Sequence, residues 1–139
     1  MKYYFAYGMN TNLDEMQIRC RTARSLGHAV LPNYSFEFKT HATIEPNPGR
    51  SVHGVLWEIL ESDEKSLDIL EGFPIYYTKH NVKVRHNDKD IIAMTYMMDV
   101  NASTQAPSDR YYDTVTKGYN QHNVPTDQLV KALKRSLVY

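Results

Sequence analysis

The sequence lacks the features that mark secreted and membrane-bound proteins. Cys20 is the single cysteine among 139 residues, so no disulfide can form within the chain, as is usual in a reducing compartment. No apolar run approaches the roughly 20 residues of a membrane-spanning helix. Met1 and Lys2 lead directly into a strand-like run, without a secretion-signal pattern. We therefore expect a soluble cytoplasmic protein in which Cys20 is a small apolar residue near the core.

The sequence also lacks an excess of positive or negative charge, because 16 acidic residues balance 16 basic residues. Nucleic acid and anionic membranes are therefore not expected partners, since both attract proteins with a basic surface. The sequence contains no dinucleotide-binding glycine motif, no P-loop and no Gly-x-Ser-x-Gly elbow. Its six histidines show no zinc-ligand spacing. The sequence thus predicts neither a metal site nor a nucleotide site.

The chain does contain enough apolar material for one folded domain. Hydrophobic residues make up 42% of the sequence, which argues against extensive disorder. A length of 139 residues is typical of a single domain, so we expect residues 1–139 to fold together. Tyrosine occurs 11 times, and its ring can pack in a core while its hydroxyl serves a small-molecule pocket.

The order of local patterns predicts an α+β fold, a small mixed β-barrel or curled sheet with flanking helices. Apolar and alternating runs indicate about six strands, at residues 2–7, 26–31, 34–38, 52–59, 76–85 and 91–98. Pro32-Asn33 is interpreted as a turn, residues 46–49 as a loop, and residues 87–90 as the turn of a hairpin formed by the last two strands. Helices are expected at about 12–20, 62–70, 109–119 and 126–137. Asn12 and Ser62 are the expected caps of the first two helices.

Three residues of the first predicted helix are candidates for burial: Leu13, Met16 and Ile18. In the second predicted helix, Leu67 and Leu70 are expected to share one face. The last two helices follow a polar linker, residues 101–107.

Glu71 stands at the end of the second predicted helix, where its environment is unusual. Gly72 can end the helix in a left-handed conformation, and Pro74 prevents its continuation. The carboxylate would face the negative end of the helix dipole, which raises its pKa. Three apolar neighbours could remove water from it: Leu67, Leu70 and Phe73. Glu71 is thus a candidate general base, and the alternative, favoured by the residues alone, is a solvated glutamate.

The run Tyr7-Gly8-Met9-Asn10 follows the first strand and is expected to form a turn. Glycine permits a close backbone approach, and consecutive amides in such a turn can bind an anion. A plain connection between a strand and a helix is the alternative, and the turn alone favours it. Tyr77 and Tyr111 are core aromatics by default, or pocket hydroxyls if they point at Glu71.

Short motifs in a fixed order carry a family likeness along nearly the whole chain. Residues 5–10, Phe-Ala-Tyr-Gly-Met-Asn, match the signature Phe-Ala-Tyr-Gly-Ser-Asn at all but one position. Glu71-Gly72, preceded by Leu67-Asp68, is the second motif. The remaining motifs are Ala42-Thr43-Ile44, Pro48-Gly49, Val52-His53-Gly54-Val55-Leu56-Trp57, Tyr77 with Val82 and Val84, and Pro107-Ser108 with Tyr111. Together these motifs resemble those of the γ-glutamylcyclotransferase-like family, which includes γ-glutamylamine cyclotransferases.

The resemblance implies an enzyme that acts on a small γ-glutamyl molecule. In this family the substrate's own α-amine attacks its γ-carbonyl, which gives 5-oxoproline and a free amine or amino acid. Because the nucleophile belongs to the substrate, the resemblance implies no cofactor. It assigns the role of general acid and base to Glu71. It assigns substrate binding to Tyr7, Gly8, Met9, Asn10, Tyr77 and Tyr111.

Met9 is the departure from the family pattern, since it stands where the family usually has serine. A backbone contact at this position would tolerate methionine, whereas use of the hydroxyl would change substrate choice or rate. The stretch between Phe38 and Ala42 is also short and could trim one pocket wall. Two function classes remain open, a cyclotransferase and a catalytically idle module of the same fold that binds a small carboxylate. The sequence names neither the leaving group nor the oligomeric state.

Overall fold

The computed structural model describes residues 1–138, in which five strands form a closed barrel and four α-helices accompany it. The strands are β1 (Lys2–Ala6), β2 (Arg24–Lys39), β3 (His41–Ile59), β4 (Thr78–His86) and β5 (Lys89–Met97). The helices are α1 (Leu13–Arg19), α2 (Glu61–Leu70), α3 (Asp109–Gln121) and α4 (Asp127–Ser136). A 3-10 turn, Met9–Thr11, connects β1 to α1.

The strand order around the barrel is β1-β3-β2-β4-β5, and a parallel contact between β1 and β5 closes it. The other strand pairs are antiparallel. This mixed arrangement confirms the predicted small β-barrel with flanking helices.

One long hairpin, β2 with β3, forms a large part of the barrel wall. Its pairs run from Arg24 with Glu58 to Lys39 with His41. The reversal is a single residue, Thr40, whose φ of 70° is in the left-handed region. This tight reversal places His41 and the residue after it at the wall of the cavity described below.

Two sequence predictions in this hairpin are wrong. Residues 26–31 and 34–38 are parts of β2, and the expected turn at Pro32-Asn33 is a β-bulge with a register shift between Pro32 and Tyr34. Asn33 accommodates the bulge with a φ of 68°. Residues 46–49 belong to β3, where Pro46 still pairs with Tyr34. The described chain therefore has five strands, not about six.

The core fills the barrel and continues beneath α3 and α4. Phe5, Val55 and Leu56 of the strands have no exposed surface, and neither does Tyr119 of α3. The Tyr119 hydroxyl donates to the carbonyl of Tyr7 at 2.5 Å. This bond ties α3 to the end of β1, immediately before the turn that precedes α1.

Helix α1 begins as predicted but buries less than predicted. The Asn12 side chain accepts a hydrogen bond from the Glu15 amide, so it caps the helix. Met16 is buried, whereas Leu13 and Ile18 are 40% and 77% exposed, which contradicts their predicted burial. A helix of seven residues has less than two full turns against the core, so only one of the three side chains reaches it.

Helix α2 differs from prediction at its start and in its buried face. It begins at Glu61, with Leu60 as the cap residue, so Ser62 is not the cap. The Asp63 carboxylate accepts from the Leu60 amide at 3.0 Å and completes the cap. Leu67 is fully buried while Leu70 is 49% exposed, so the two do not share a buried face.

The remaining elements agree with the sequence predictions. The hairpin predicted at residues 76–85 and 91–98 is formed by β4 and β5. Its turn is tighter than expected, because Asn87 and Asp88 both adopt positive φ and reverse the chain alone. Helices α3 and α4 lie where they were predicted, within about two residues at each end. Within residues 1–138, none of the helices has the length and apolar character needed to cross a membrane.

Candidate active site

A cavity of about 200 Å³ gathers residues from distant parts of the chain. All seven residues that the sequence predicts for the site line it: Tyr7, Gly8, Met9, Asn10, Glu71, Tyr77 and Tyr111. Six further residues complete the lining: Tyr4, Arg19, His41, Ala42, Leu70 and Tyr76. Residues separated by more than a hundred positions therefore share one chamber.

Local sequence fixes the position of Glu71 at the end of α2. Its amide donates to the carbonyl of Leu67 at 2.9 Å. The next residue, Gly72, adopts a φ of 63°, and the amides of Gly72 and Phe73 donate to Ile69 and Asp68. These two bonds form a Schellman motif, which satisfies the last carbonyls of the helix. The motif turns the chain away from the helix axis and leaves the Glu71 side chain directed into the cavity.

The Glu71 carboxyl is an unusually weak acid for its type. Burial raises its pKa from 4.5 to about 7, while the charge of Arg19 and a hydrogen bond from Asn10 act in the opposite direction. That hydrogen bond runs from Asn10 Nδ2 to Glu71 Oε1 at 3.1 Å. The carboxyl therefore exchanges a proton close to neutral pH.

The groups that bury Glu71 differ from those predicted. Leu70 lines the cavity, but Leu67 is packed in the core beneath α2 and Phe73 points outward, 38% exposed. Lys79 Nζ lies 4.5 Å from the centre of the Phe73 ring, on the protein surface. Water is instead displaced from Glu71 by a wall of tyrosines: Tyr4, Tyr7, Tyr76, Tyr77 and Tyr111.

The glycine turn contacts the cavity wall closely. The Thr11 amide and hydroxyl both donate to the carbonyl of Gly8, at 3.1 and 2.7 Å, and hold the turn. A Cβ atom on Gly8 would lie 3.0 Å from Ala42 Cβ and 3.2 Å from the Tyr111 hydroxyl. A side chain at this position would therefore crowd the cavity wall, although the φ of −118° does not itself require glycine.

The tyrosine hydroxyls are anchored to the backbone. Tyr7 donates to the carbonyl of Tyr96 at 2.5 Å, and Tyr77 donates to the carbonyl of Ala42 at 2.7 Å. The Ala42 amide in turn donates to the Tyr111 hydroxyl at 3.0 Å, which leaves the hydrogen of that hydroxyl for another acceptor. Burial raises the pKa of all three phenols, so they stay neutral. Tyr7 and Tyr77 thus shape the cavity, and Tyr111 retains a donor.

Several cavity residues escaped the sequence analysis, and Arg19 is the one with a recognisable signal. It lies three residues after the buried Met16, a spacing that puts two side chains on the same side of a helix. Arg19 Nη1 donates to Asn10 Oδ1 at 2.8 Å. His41, which follows the tight β2–β3 reversal, meets Tyr76 through a 2.7 Å hydrogen bond. Burial lowers the pKa of His41, which favours its neutral form.

The described part of the chain contains neither a metal-binding group of side chains nor a reactive thiol. Residues 1–138 contain no group of three His, Cys, Asp or Glu side chains placed to hold a metal ion. Cys20 is buried at the end of α1, and burial raises its pKa to about 11. It is therefore a protonated thiol, in keeping with the predicted role as a small core residue.

Comparisons with known proteins show which family the chain belongs to. A family model described as gamma-glutamyl cyclotransferase, AIG2-like, matches residues 4–130. The human and mouse proteins named gamma-glutamylcyclotransferase are 30% and 29% identical over 138 residues, which cover 89% of this chain and 73% of each relative. A solved structure named gamma-glutamyl cyclotransferase is 28% identical, with a TM-score of 0.83 over 99% of this chain and 88% of its own. The chain therefore belongs to the γ-glutamyl cyclotransferase, AIG2-like family of enzymes.

Proposed function

We propose that this protein converts a γ-glutamyl amine or γ-glutamyl peptide to 5-oxoproline and the free amine or amino acid. One observation carries the proposal: the Glu71 carboxyl, with a pKa of about 7, lies in a small cavity beside a glycine turn. A group with that pKa can accept and return a proton near neutral pH. The names of the human and mouse relatives support the same type of reaction.

Proton transfer through Glu71 accounts for both halves of this reaction. The ionised carboxylate takes a proton from the substrate's α-ammonium, and the freed amine nitrogen attacks the γ-carbonyl carbon. The bond from that carbon to the leaving nitrogen then breaks while Glu71 returns the proton to the nitrogen. The ring nitrogen loses its second proton to the released amine, which leaves as an ammonium ion. The products are therefore the five-membered lactam 5-oxoproline and a protonated amine, and atoms, protons and charge balance.

The turn and the cavity walls supply the rest of the proposed mechanism. The first N–H groups of a helical turn have no partner within it, so those of Gly8, Met9 and Asn10 can stabilise the oxyanion that develops on the γ-carbonyl. Tyr7, Tyr77 and Tyr111 would hold the substrate by their rings, and Tyr111 also by its hydroxyl. Confinement in about 200 Å³ favours the bent conformer that ring closure needs.

A substrate panel tests the proposal directly. Purified protein is incubated with γ-glutamyl amines, γ-glutamyl amino acids and γ-glutamyl peptides, and 5-oxoproline is quantified by mass spectrometry. Glu71→Gln is the matched control, because it keeps the size of the side chain and removes the exchangeable proton. Release of 5-oxoproline by the wild type alone supports the proposal. Binding of these compounds without release would instead identify an idle carboxylate-binding module of the same fold.

A further inference from the structure

We infer that Arg19 is a positioning residue, which acts through the side-chain amide of Asn10 to orient the hydrogen bond that Glu71 receives. The inference rests on the proposed role of Glu71 and extends it to a residue on a different element. Arg19 ends α1, Asn10 lies in the turn after β1, and Glu71 follows α2. The three side chains form one continuous line of hydrogen bonds.

The orientation follows from the chemistry of the two ends of this line. A guanidinium group only donates hydrogen bonds, so the Asn10 atom 2.8 Å from Arg19 Nη1 must be the amide oxygen. The amide nitrogen then faces the opposite way, where its two hydrogens reach Glu71 Oε1 and the Tyr4 hydroxyl, each at 3.1 Å. A flipped amide would set its oxygen against the carboxylate and its NH2 against the guanidinium, and both contacts would be repulsive.

Asn10 has little freedom to escape this arrangement. Its exposed fraction is 3%, so solvent cannot readily replace a lost partner. Both amide hydrogens and the amide oxygen are engaged by protein groups. Because an unsatisfied buried polar group is costly, removal of Arg19 leaves the amide oxygen without a partner and free to seek another orientation.

Arg19 also acts on Glu71 through its charge. Other titratable groups that line the cavity come from several elements: Tyr4 and Tyr7 from the β1 region, His41 from β3, Tyr76 and Tyr77 after α2, and Tyr111 from α3. Burial raises the pKa of these phenols and lowers that of His41, so neutral forms are favoured. Arg19 is thus the one permanent cation among the described residues that line the cavity, and its charge lowers the pKa of Glu71.

The ion pair between Arg19 and Glu15 does not account for this arrangement. Its N···O distance is 3.4 Å, and the two side chains are 24% and 32% exposed. Pairs of this kind on a helix surface contribute little to stability. Arg19 therefore has a stronger contact with Asn10 than with its neighbour on α1, as expected for a side chain that serves the cavity.

Titration of the Glu71 carboxyl by carbon NMR tests the inference without any turnover. Protein labelled with carboxyl-¹³C glutamate is titrated, and the Glu71 signal is assigned by its loss in Glu71→Gln. We expect a higher midpoint in Arg19→Met than in the wild type, and a smaller rise in Arg19→Lys, which keeps the charge and a donor. Arg21→Met is the matched control, because Arg21 is exposed, lies two residues further on and does not line the cavity.

The pH dependence of kcat/KM in the same variants measures the effect of Arg19 on catalysis. The acid limb of Arg19→Met should move to higher pH together with the NMR midpoint, and activity should recover above that limb. Each unit of movement lowers kcat/KM about tenfold at a pH below both midpoints. A merely structural role would instead lower activity by the same factor at every pH and leave the limb in place.

The outcomes separate this inference from the proposed function. An unchanged Glu71 midpoint in folded Arg19→Met overturns the inference. If Arg19→Met does not fold, Arg19→Ala, which likewise removes both the donor and the charge, gives the same comparison. A wild type that releases no 5-oxoproline overturns the proposed function alone, because the NMR midpoints still measure the action of Arg19 on Glu71.

Discussion

Asn10 Nδ2 lies 3.1 Å from Glu71 Oε1, so a residue of the N-terminal turn binds the carboxylate that follows α2, 61 positions later. This contact joins two of the sequence segments that carry the family likeness. It also makes the reactivity of Glu71 depend on elements from three places in the chain, the turn, α1 and the end of α2. Changes at each of these places should therefore be visible in turnover or in pH dependence.

Glu71→Gln should abolish most turnover and preserve the fold. The glutamine amide oxygen can still accept from Asn10, but an amide cannot take up and return a proton. Loss of a general acid and base typically costs about a hundred- to ten-thousand-fold in rate. The measurement is release of 5-oxoproline, with circular dichroism as the check on folding. A folded variant within a few-fold of wild-type turnover would contradict the role of Glu71.

The rate at low substrate concentration should fall on the acid side of neutrality. Burial raises the pKa of Glu71 to about 7, and protonation below that value removes the base. kcat/KM should thus decrease about tenfold per pH unit once the pH is well below 7. A profile that stays flat down to the ordinary glutamate value of 4.5 would be incompatible with the raised pKa.

Gly8 and Met9 should respond differently to substitution. Gly8→Val places its side chain where a Cβ already lies 3.0 Å from Ala42 Cβ and 3.2 Å from the Tyr111 hydroxyl. Displacement of the cavity wall by about an ångström should cost on the order of a hundredfold in kcat/KM. Met9→Ser is the matched comparison and should stay near wild type if that position acts through its backbone. A large gain in Met9→Ser would show that the family hydroxyl matters.

Local sequence was sufficient to predict the turn after β1 and the end of α2. Gly72 and the proline two residues later terminate the helix whatever surrounds it, so the place of Glu71 could be predicted before any tertiary contact was known. The same holds for the β4–β5 hairpin, where Asn87 and Asp88 both tolerate positive φ. In these places the residue types themselves dictate the backbone.

Tertiary pairing overrode local signals elsewhere. Pro46 and Gly49 favour a loop when considered alone, yet their segment lies within β3, where residues 47–50 bulge between the pairs that Pro46 and Ser51 make with β2. The residues that surround Glu71 in the cavity could likewise not be predicted from its neighbours in sequence. Leu67 and Phe73 lie beside Glu71 in sequence but face the core and the surface, whereas Tyr4 and Tyr111 come from β1 and α3. Such contacts depend on barrel closure, which no local pattern encodes.

The raised pKa of Glu71 should oppose folding above neutral pH. The folded protein holds a proton up to about pH 7, while an unfolded glutamate releases it near 4.5, so stability falls as pH rises between these values. The difference corresponds to at most roughly 3 kcal/mol. Glu71→Gln should therefore be as stable as the wild type at pH 8, or more stable by up to that amount, in thermal and urea unfolding. Strong destabilisation would indicate a carboxylate that the fold requires.

A pair of histidines on the barrel wall should act on stability with the opposite sign. His28 Nε2 and His53 Nδ1 lie 2.8 Å apart and are joined by one hydrogen, so the folded state resists protonation of both rings. Burial is the main cause that lowers the pKa of both, reinforced at His28 by His53 and His86 and opposed at His53 by Asp127. Above the ordinary histidine pKa of 6.5, the pair costs the folded protein no stability. As the pH falls through that value, stability is lost because the unfolded chain binds protons before the folded protein does.

His53→Gln should accordingly lose less stability than the wild type between pH 7 and pH 5. As the pH falls over the same interval, the contribution of Glu71 to folding stability rises. The pH dependence of wild-type stability therefore combines the effects of Glu71 and of the histidine pair. The difference between His53→Gln and the wild type at each pH isolates the histidine pair, since Glu71 is present in both proteins. Thermal unfolding at several pH values measures that difference. Parallel curves for the two proteins would show that the folded state accommodates the second proton at no cost and would refute the assignment.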